Sequence, residues 1–525
     1  MADSSGKMQD VDQASRTAEK TQRPDGTEGG RTAVNLAVVS LASLLQLIIQ
    51  FAITGVTASL YGSKAPADAL YAALALPTFV TAVLSGSLSY ILIPDLVAKF
   101  EADADGKAAW GLASFVGLVV SIAGIVAGIF LFGLAGPLVD YCYPNLKSPK
   151  TAYTCLEILS VQVFLTGLVS WTTAVHHSRQ GFMWPALGGI LGVTCSLLLV
   201  VFAGQRSVSV IAWAINLGSV VSVVVQLLPI AGKIAWPVAD IANIAKLCRV
   251  FWPLILGTFY LRIEPVVDKL LADRLGDEGA VAHVNYSQRI MMALLTVGTS
   301  SLSLVVFPQL AKQFAAGGKI GFAKHFALAL QRMWLIIVPI AIGVSCFALP
   351  IVRDLLERKQ FTSEDTYVVG WLIVLSMGMF VGASLGELLA RAFYVMEDTL
   401  TPTLVGAIAL TIGFAFRFAL IDSWGIWAIA AGVSVYFLLS AAVMLWMLRR
   451  KVGTGVLEGS FRQVRDAVIA SLVACGVCAG VYATKIGTTW LAGPIGGIAY
   501  WVVLMLLKNE AALQIRHEIA SRLRR

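Results

Sequence analysis

Apolar runs of 20 or more residues recur along the chain from Ala33 to Leu507, separated by short stretches where Gly, Pro, Asp, Lys and Arg gather. Wound as a helix, each run is long enough to cross a hydrocarbon core about 30 Å thick. Read with its turn and charge breaks, the pattern predicts an all-α integral membrane protein with about fourteen transmembrane helices. They start near residues 33, 69, 108, 152, 182, 207, 250, 281, 329, 366, 402, 424, 464 and 487. Residues 1–32 are polar and mixed in charge, with no secretory leader pattern, and are expected to form a disordered cytosolic tail. Residues 508–525 alternate basic and apolar positions and are expected to form a basic cytosolic tail on anionic lipid.

Composition closes off the soluble alternative. Hydrophobic residues make up 58% of the 525 and charged residues 13%, where a soluble domain carries about a quarter charged. Mean hydropathy is +0.79. The net charge of +8 does not point to nucleic acid, because the basic residues sort by loop. With the N-terminus inside, 24 of the 39 Lys and Arg fall in cytoplasmic segments and nine on the opposite side, while Arg262, Lys269, Arg289, Arg332, Arg391 and Arg417 fall within or at the ends of spans. That bias sets an orientation with both termini cytoplasmic. Cys475 and Cys478 form a CxxC, but within an apolar span and without His or carboxylate neighbours they read as small buried residues. His176 and His177 point in different directions on one helix, so no metal site is expected there.

The chain also resembles itself. At an offset of 214 residues Gly62 meets Gly276, and the block SLSxxxxPxLxxxF recurs from Ser87 to Phe100 and from Ser301 to Phe314. Six spans lie between the copies, so both halves keep the same orientation and are related by an axis along the membrane normal. The expected architecture is two pseudo-symmetric six-helix bundles, 33–232 and 249–448, facing a central cavity, with two C-terminal helices in 463–507.

Ionisable groups inside spans are costly unless paired or facing water, which makes each a functional candidate. Span 7 carries Arg262, Glu264, Asp268 and Lys269, with Pro265 expected to bend it. Either the two carboxylates neutralise Arg262 and Lys269, or the group faces the cavity. Arg289 has no acidic residue within a turn, and guanidinium suits phosphate through its planar fork of donors. Asp68 opens span 2 as a candidate interfacial cap. Glu264, Asp268, Glu157 and Glu387 are the candidate carboxylates for coupling to Na+ or H+. No GxxxxGK[ST] loop is present, so ATP-driven transport would need a partner.

Three stretches resemble the MurJ/MviN flippases, within the superfamily that also holds polysaccharide flippases and multidrug exporters. They are LYGSKAPADALYAALALP (Leu60 to Pro77), GDEGAVAHVNYSQRI followed by VVFPQLAK, and RAFYVMEDTLTP (Arg391 to Pro402). The resemblance implies a carrier, not an enzyme, that moves an undecaprenyl-pyrophosphate-linked disaccharide-pentapeptide by alternating access, with a lipid-tail groove at spans 13 and 14. Its implied partners are the lipid-linked glycan, membrane lipids and enzymes of cell-wall or polysaccharide synthesis. Carried over by position, Asp68 matches the family's span-2 aspartate and Arg289 its span-8 arginine, while Arg391 and Asp398 fall in a cytoplasmic gate or loop. Two departures stand out. Span 1 reads ASLLQLIIQFAITG where the family has arginines, and Ala75 stands where the family has Lys. Pyrophosphate binding would then fall on Arg289, with Arg262 and Lys269. A lipid-linked exopolysaccharide or O-antigen unit, or an ion-coupled export of drugs, remain alternatives.

Overall fold

The computed structural model describes residues 26–102, 106–233, 236, 257–483 and 489–523. In lipid a backbone must satisfy its own hydrogen bonds, and the chain does so as helices. The first half holds α1 (Gly26–Tyr61), α2 (Ala65–Ala102), α3 (Lys107–Gly133), α4 (Ala135–Cys142), α5 (Pro149–Ser178), α6 (Met183–Ala203) and α7 (Ser209–Leu227). A helical stretch, 257–262, then leads into α8 (Glu264–Arg274) and α9 (Ala280–Leu356). There follow α10 (Ser363–Leu375), α11 (Met377–Val395), α12 (Leu400–Trp424), α13 (Trp427–Val452), α14 (Ser460–Ala483), α15 (Thr489–Leu506) and α16 (Glu510–Leu523).

Among the described residues, 11 helices are long and apolar enough to cross a membrane, or 12 if the bent pair Ala492–Leu506 and Glu510–His517 is one span. The span expected to start near residue 250 lies partly outside the described residues, which resume at 257. The spans expected near 281 and 329 are joined in α9, whose helical angles fail at Gly318 (φ 55°, ψ −147°) and at Phe347. Gly318, whose positive φ a glycine adopts without strain, makes a kink at which two helices meet end to end within α9. The polar head was expected to run to residue 32, but α1 begins at Gly26. The tail expected from 508 is helical too, over Glu510–Leu523.

Pairings in the first half recur in the second. There α2 packs on α5, α5 on α7, and α6 on α7; six spans later α9 packs on α11, α11 on α13, and α12 on α13. Small residues allow the closest approaches, as at Gly192, where a Cβ would stand 2.4 Å from the Gly218 carbonyl oxygen of α7. The two copies of the repeat also agree in backbone, since Gly62 and Gly276 both take positive φ, 59° and 72°. Outside the two sets, α14 and α15 pack together and against α9. Ile48, Ile129, Phe202 and Ile408 stand exposed, as expected of surface solvated by lipid chains.

Candidate functional site

The two halves meet at the end of the molecule where α1 turns into α2. Asp68 is buried there, and its Oδ2 and Oδ1 accept the backbone N–H groups of Gly279 (2.6 Å) and Ala282 (2.8 Å). Asp68 is therefore a cap, but not of its own helix: it satisfies the free N–H groups at the start of α9, where a carboxylate also meets the positive end of the helix dipole. The exchange is mutual. The Ala65 N–H, at the start of α2, donates to Glu278 Oε1 at 2.9 Å. Tyr286 O–H donates to the Gly62 carbonyl (2.9 Å), and Lys64 Nζ donates to Gln360 Oε1 (2.5 Å). Gly279 has φ 91°, and a Cβ on it would lie 2.3 Å from the Ser63 carbonyl oxygen, so only glycine allows this approach.

Behind this seal lies a cavity of about 370 Å³, lined by α1, α2, α5, α6, α7 and, from the other half, Arg289 of α9. Arg289 is exposed into it and makes no hydrogen bond or ion pair among the described residues. Lys269, 6% exposed, is close enough to Arg289 for the two cations to repel. Arg262 is exposed just before a break at Ile263, with Pro265 in the first turn of α8. The proline thus begins a new helical segment rather than bending a continuous one.

The span-7 carboxylates have a different partner from either expected cation. Arg417 of α12, 0% exposed, places Nη2 2.7 Å from Glu264 Oε1 and Nη1 2.5 Å from Asp268 Oδ1. Asp268 Oδ2 also accepts from Gln288 Nε2 at 2.8 Å. A planar fork of donors suits two carboxylates one helical turn apart. Neither Arg262 nor Lys269 forms an ion pair with them among the described residues, and both carboxylates are engaged by Arg417. Sequence reading placed Arg417 in a span but could not find its partners, 149 and 153 residues away.

The remaining candidates divide. Glu387 is engaged by Arg391 one turn on, at 2.7 Å. Glu157 is half-buried in α5. Asp398 accepts from the Thr401 N–H (3.0 Å) and hydroxyl (2.7 Å), and pairs with Lys451 at the end of α13. The Lys451 ammonium, then the two Thr401 donors, hold the Asp398 carboxyl down to about 2, from an ordinary 3.8. A depressed folded pKa adds stability above the ordinary value and loses it as pH falls through the folded one. Asp398→Asn should therefore lower the melting temperature modestly at pH 7, by less than about 1 kcal/mol given solvent screening. The gap between variant and parent should close as pH falls from 4 toward 2; a gap independent of pH would remove the ion pair from the account.

A second space runs outside the two halves. A groove of about 960 Å³ lies between α9 and the α14–α15 pair, lined mainly by apolar residues such as Leu335, Ile340, Val344 and Trp501. Arg332 lines it at one end and Asp354 at the other, 22 residues apart on α9, or about 33 Å. Cys478 sits in its wall, its Sγ 3.1 Å from the Ala492 carbonyl oxygen. Among the described residues no group of three or more His, Cys, Asp or Glu is placed to hold a metal ion.

The profile of one protein family, described as lipid II flippase MurJ, matches residues 57–508. Among curated relatives, the chain is 23% identical over 494 residues to the lipid II flippase MurJ of Burkholderia cenocepacia, covering 90% of this chain and 94% of that one. It is likewise 23% identical over 498 residues to a probable lipid II flippase MurJ of Haemophilus influenzae, covering 89% and 95%. Among solved structures, a lipid II flippase MurJ in an inward closed conformation superposes with a TM-score of 0.76 at 17% identity, covering 90% of this chain and 98% of that one. An inward-facing multidrug resistance transporter of the MATE family superposes with a TM-score of 0.67 at 14% identity, covering 78% and 98%.

Proposed function

This chain belongs to the MurJ family of lipid II flippases, and from that premise we propose that it carries an undecaprenyl-pyrophosphate-linked glycan of the lipid II type across the bacterial inner membrane. One observation carries the reading. An arginine of the second half, without an acidic partner among the described residues, faces a cavity otherwise lined by the first half, and an apolar groove of a size to hold a polyprenyl chain lies along α9. Such an arginine costs several kcal/mol in the membrane unless a ligand or water meets it. Pyrophosphate meets that need through charge-assisted hydrogen bonds.

The sorting of Lys and Arg supports an orientation with both termini in the cytoplasm and, with it, the Asp68 seal on the periplasmic face. The head group then enters from the cytoplasm toward Arg289, with Lys269 and Arg262 adding positive potential. The lipid tail keeps to the groove of α9, α14 and α15. Breaking the seal and closing the opposite end delivers the head group outward, in the alternating access that two similarly oriented halves permit. Glu264 and Asp268 are held by Arg417 and Glu387 by Arg391, which leaves Glu157 as the candidate for coupling to Na+ or H+. The transport reading needs no chemical step. Export of cationic drugs is disfavoured, because the cavity's charge is positive.

Arg289→Gln is expected to abolish transport, and Arg289→Lys to retain part of it, since an ammonium keeps the charge but not the fork. Complementation of a depleted strain, with the lipid-linked precursor assayed on the cytoplasmic leaflet, measures this. Full activity of Arg289→Gln would remove the anion site. Accumulation of a different lipid-linked glycan on depletion would reassign the substrate.

A further inference from the structure

We propose that the first-half wall of the cavity is a saccharide subsite, in which Gln162, with Gln46 and Gln50, hydrogen-bonds the hydroxyl and amide groups of a neutral sugar. The proposal rests on the flippase reading and assigns the part of the head group that this wall recognises.

Charge distribution comes first. Every residue that α1, α2, α5, α6 and α7 contribute to the cavity is uncharged; Arg289, from the opposite half, is the lining's one charge among the described residues. Pyrophosphate and free carboxylates are therefore drawn to the α9 side. What meets the other wall is the uncharged part of the ligand, which in a lipid-linked glycan is sugar.

The wall is nonetheless polar by construction. Gln46, Gln50, Thr54 and Thr57 recur at intervals of four, four and three, placing them on one face of α1 that lines the cavity. Gln162 and Thr166, again four apart, line it from α5. The threonines donate to carbonyls of their own helix, Thr54 to Gln50 and Thr57 to Ile53, leaving hydroxyl lone pairs for a ligand donor.

The state of the amides separates recognition from packing. Gln226 of α7 is a structural glutamine: it accepts from Thr172 and Thr173 and donates to Ser222. Gln162 is different. Its Oε1 is buried with no hydrogen-bond partner, in a residue that lines the cavity. A buried carbonyl oxygen left unpaired costs on the order of 1–3 kcal/mol, and a ligand hydroxyl or N–H removes that cost. Gln46 makes only a long contact, 3.5 Å, to the Ala186 carbonyl, and its amide lies over Gly189, where a Cβ would come within 2.5 Å of it. An amide presents two donors and an acceptor with two lone pairs, which matches adjacent sugar hydroxyls better than a cation does.

The test uses the full chain in lipid nanodiscs and two probes: undecaprenyl pyrophosphate, which has no sugar, and the undecaprenyl-pyrophosphate-linked disaccharide-pentapeptide. Gln162→Leu and, separately, Gln50→Leu are expected to weaken binding of the glycosylated probe by about tenfold or more and to leave the bare probe unchanged. Arg289→Gln weakens both. If the glutamine variants bind the glycosylated probe like the parent, or lose both probes equally while keeping the parent's melting temperature, the subsite is overturned and the flippase reading stands. A parent that binds the two probes equally also overturns the subsite. A parent that binds neither overturns the flippase reading itself. Gln50, exposed on α1, keeps the test open if Gln162→Leu fails to fold.

Discussion

Asp68→Ala is expected to abolish transport by unsealing the end where α1 turns into α2, and Asp68→Asn to retain a fraction of it. Alanine leaves the Gly279 and Ala282 N–H groups without their acceptor at the start of α9. Each hydrogen bond to a charged group contributes about 1.5–3 kcal/mol, and the carboxylate's position at a helix N-terminus adds up to about 2. Both belong to the sealed arrangement, because donor and acceptor lie on different halves. Their loss shifts the balance between sealed and open states by on the order of a hundredfold or more. Asparagine keeps one acceptor oxygen and loses the charge, so it falls between. The readout is complementation, together with labelling of a cysteine placed at Ser63, buried under the seal, in a chain whose seven native cysteines are replaced. A bulky polar maleimide applied from the side of that end should reach that cysteine faster in Asp68→Ala. Protection equal to the parent's, with transport intact, would show that the cap does not hold the seal.

How much of this the chain displayed beforehand depends on how far each feature reaches. Helix positions were legible because an apolar run of membrane length has one conformation that satisfies its backbone. The pairing of halves was legible at Gly62 and Gly276, whose left-handed turns recur in both copies. The role of Asp68 was legible only in kind. A carboxylate near a helix start reads as a cap, but its helix begins 211 residues further on. Arg417 was visible as an ion in a span, yet nothing local names Glu264 and Asp268. The polar face of α1 was within reach, since Gln46, Gln50 and Thr54 stand four apart among mostly apolar neighbours.

Arg417→Met is expected to be the most destabilising single change in the second half. The guanidinium is fully buried between Glu264 and Asp268, so its removal leaves two carboxylates in a low-dielectric setting without a counter-charge. Breaking a buried pair in this way costs about 3–5 kcal/mol. Gly432 belongs to the same arrangement: a Cβ there would lie 2.3 Å from Arg417 Cγ, so Gly432→Ala should weaken the pair by displacing it. Neutralising the acids along with the base removes the penalty at its source. The triple variant Arg417→Met, Glu264→Gln, Asp268→Asn is therefore expected to recover most of the thermal stability that Arg417→Met loses, as read by melting in detergent. Transport separates two roles for the cluster. If Arg417 serves as a fixed counter-ion joining α8 to α12, the triple variant transports. If the carboxylates exchange Arg417 for Na+ or H+ during the cycle, the triple variant is stable and inactive. An Arg417→Met protein as stable as the parent would contradict both, since a buried charge pair cannot lose one member without cost unless water already reaches it.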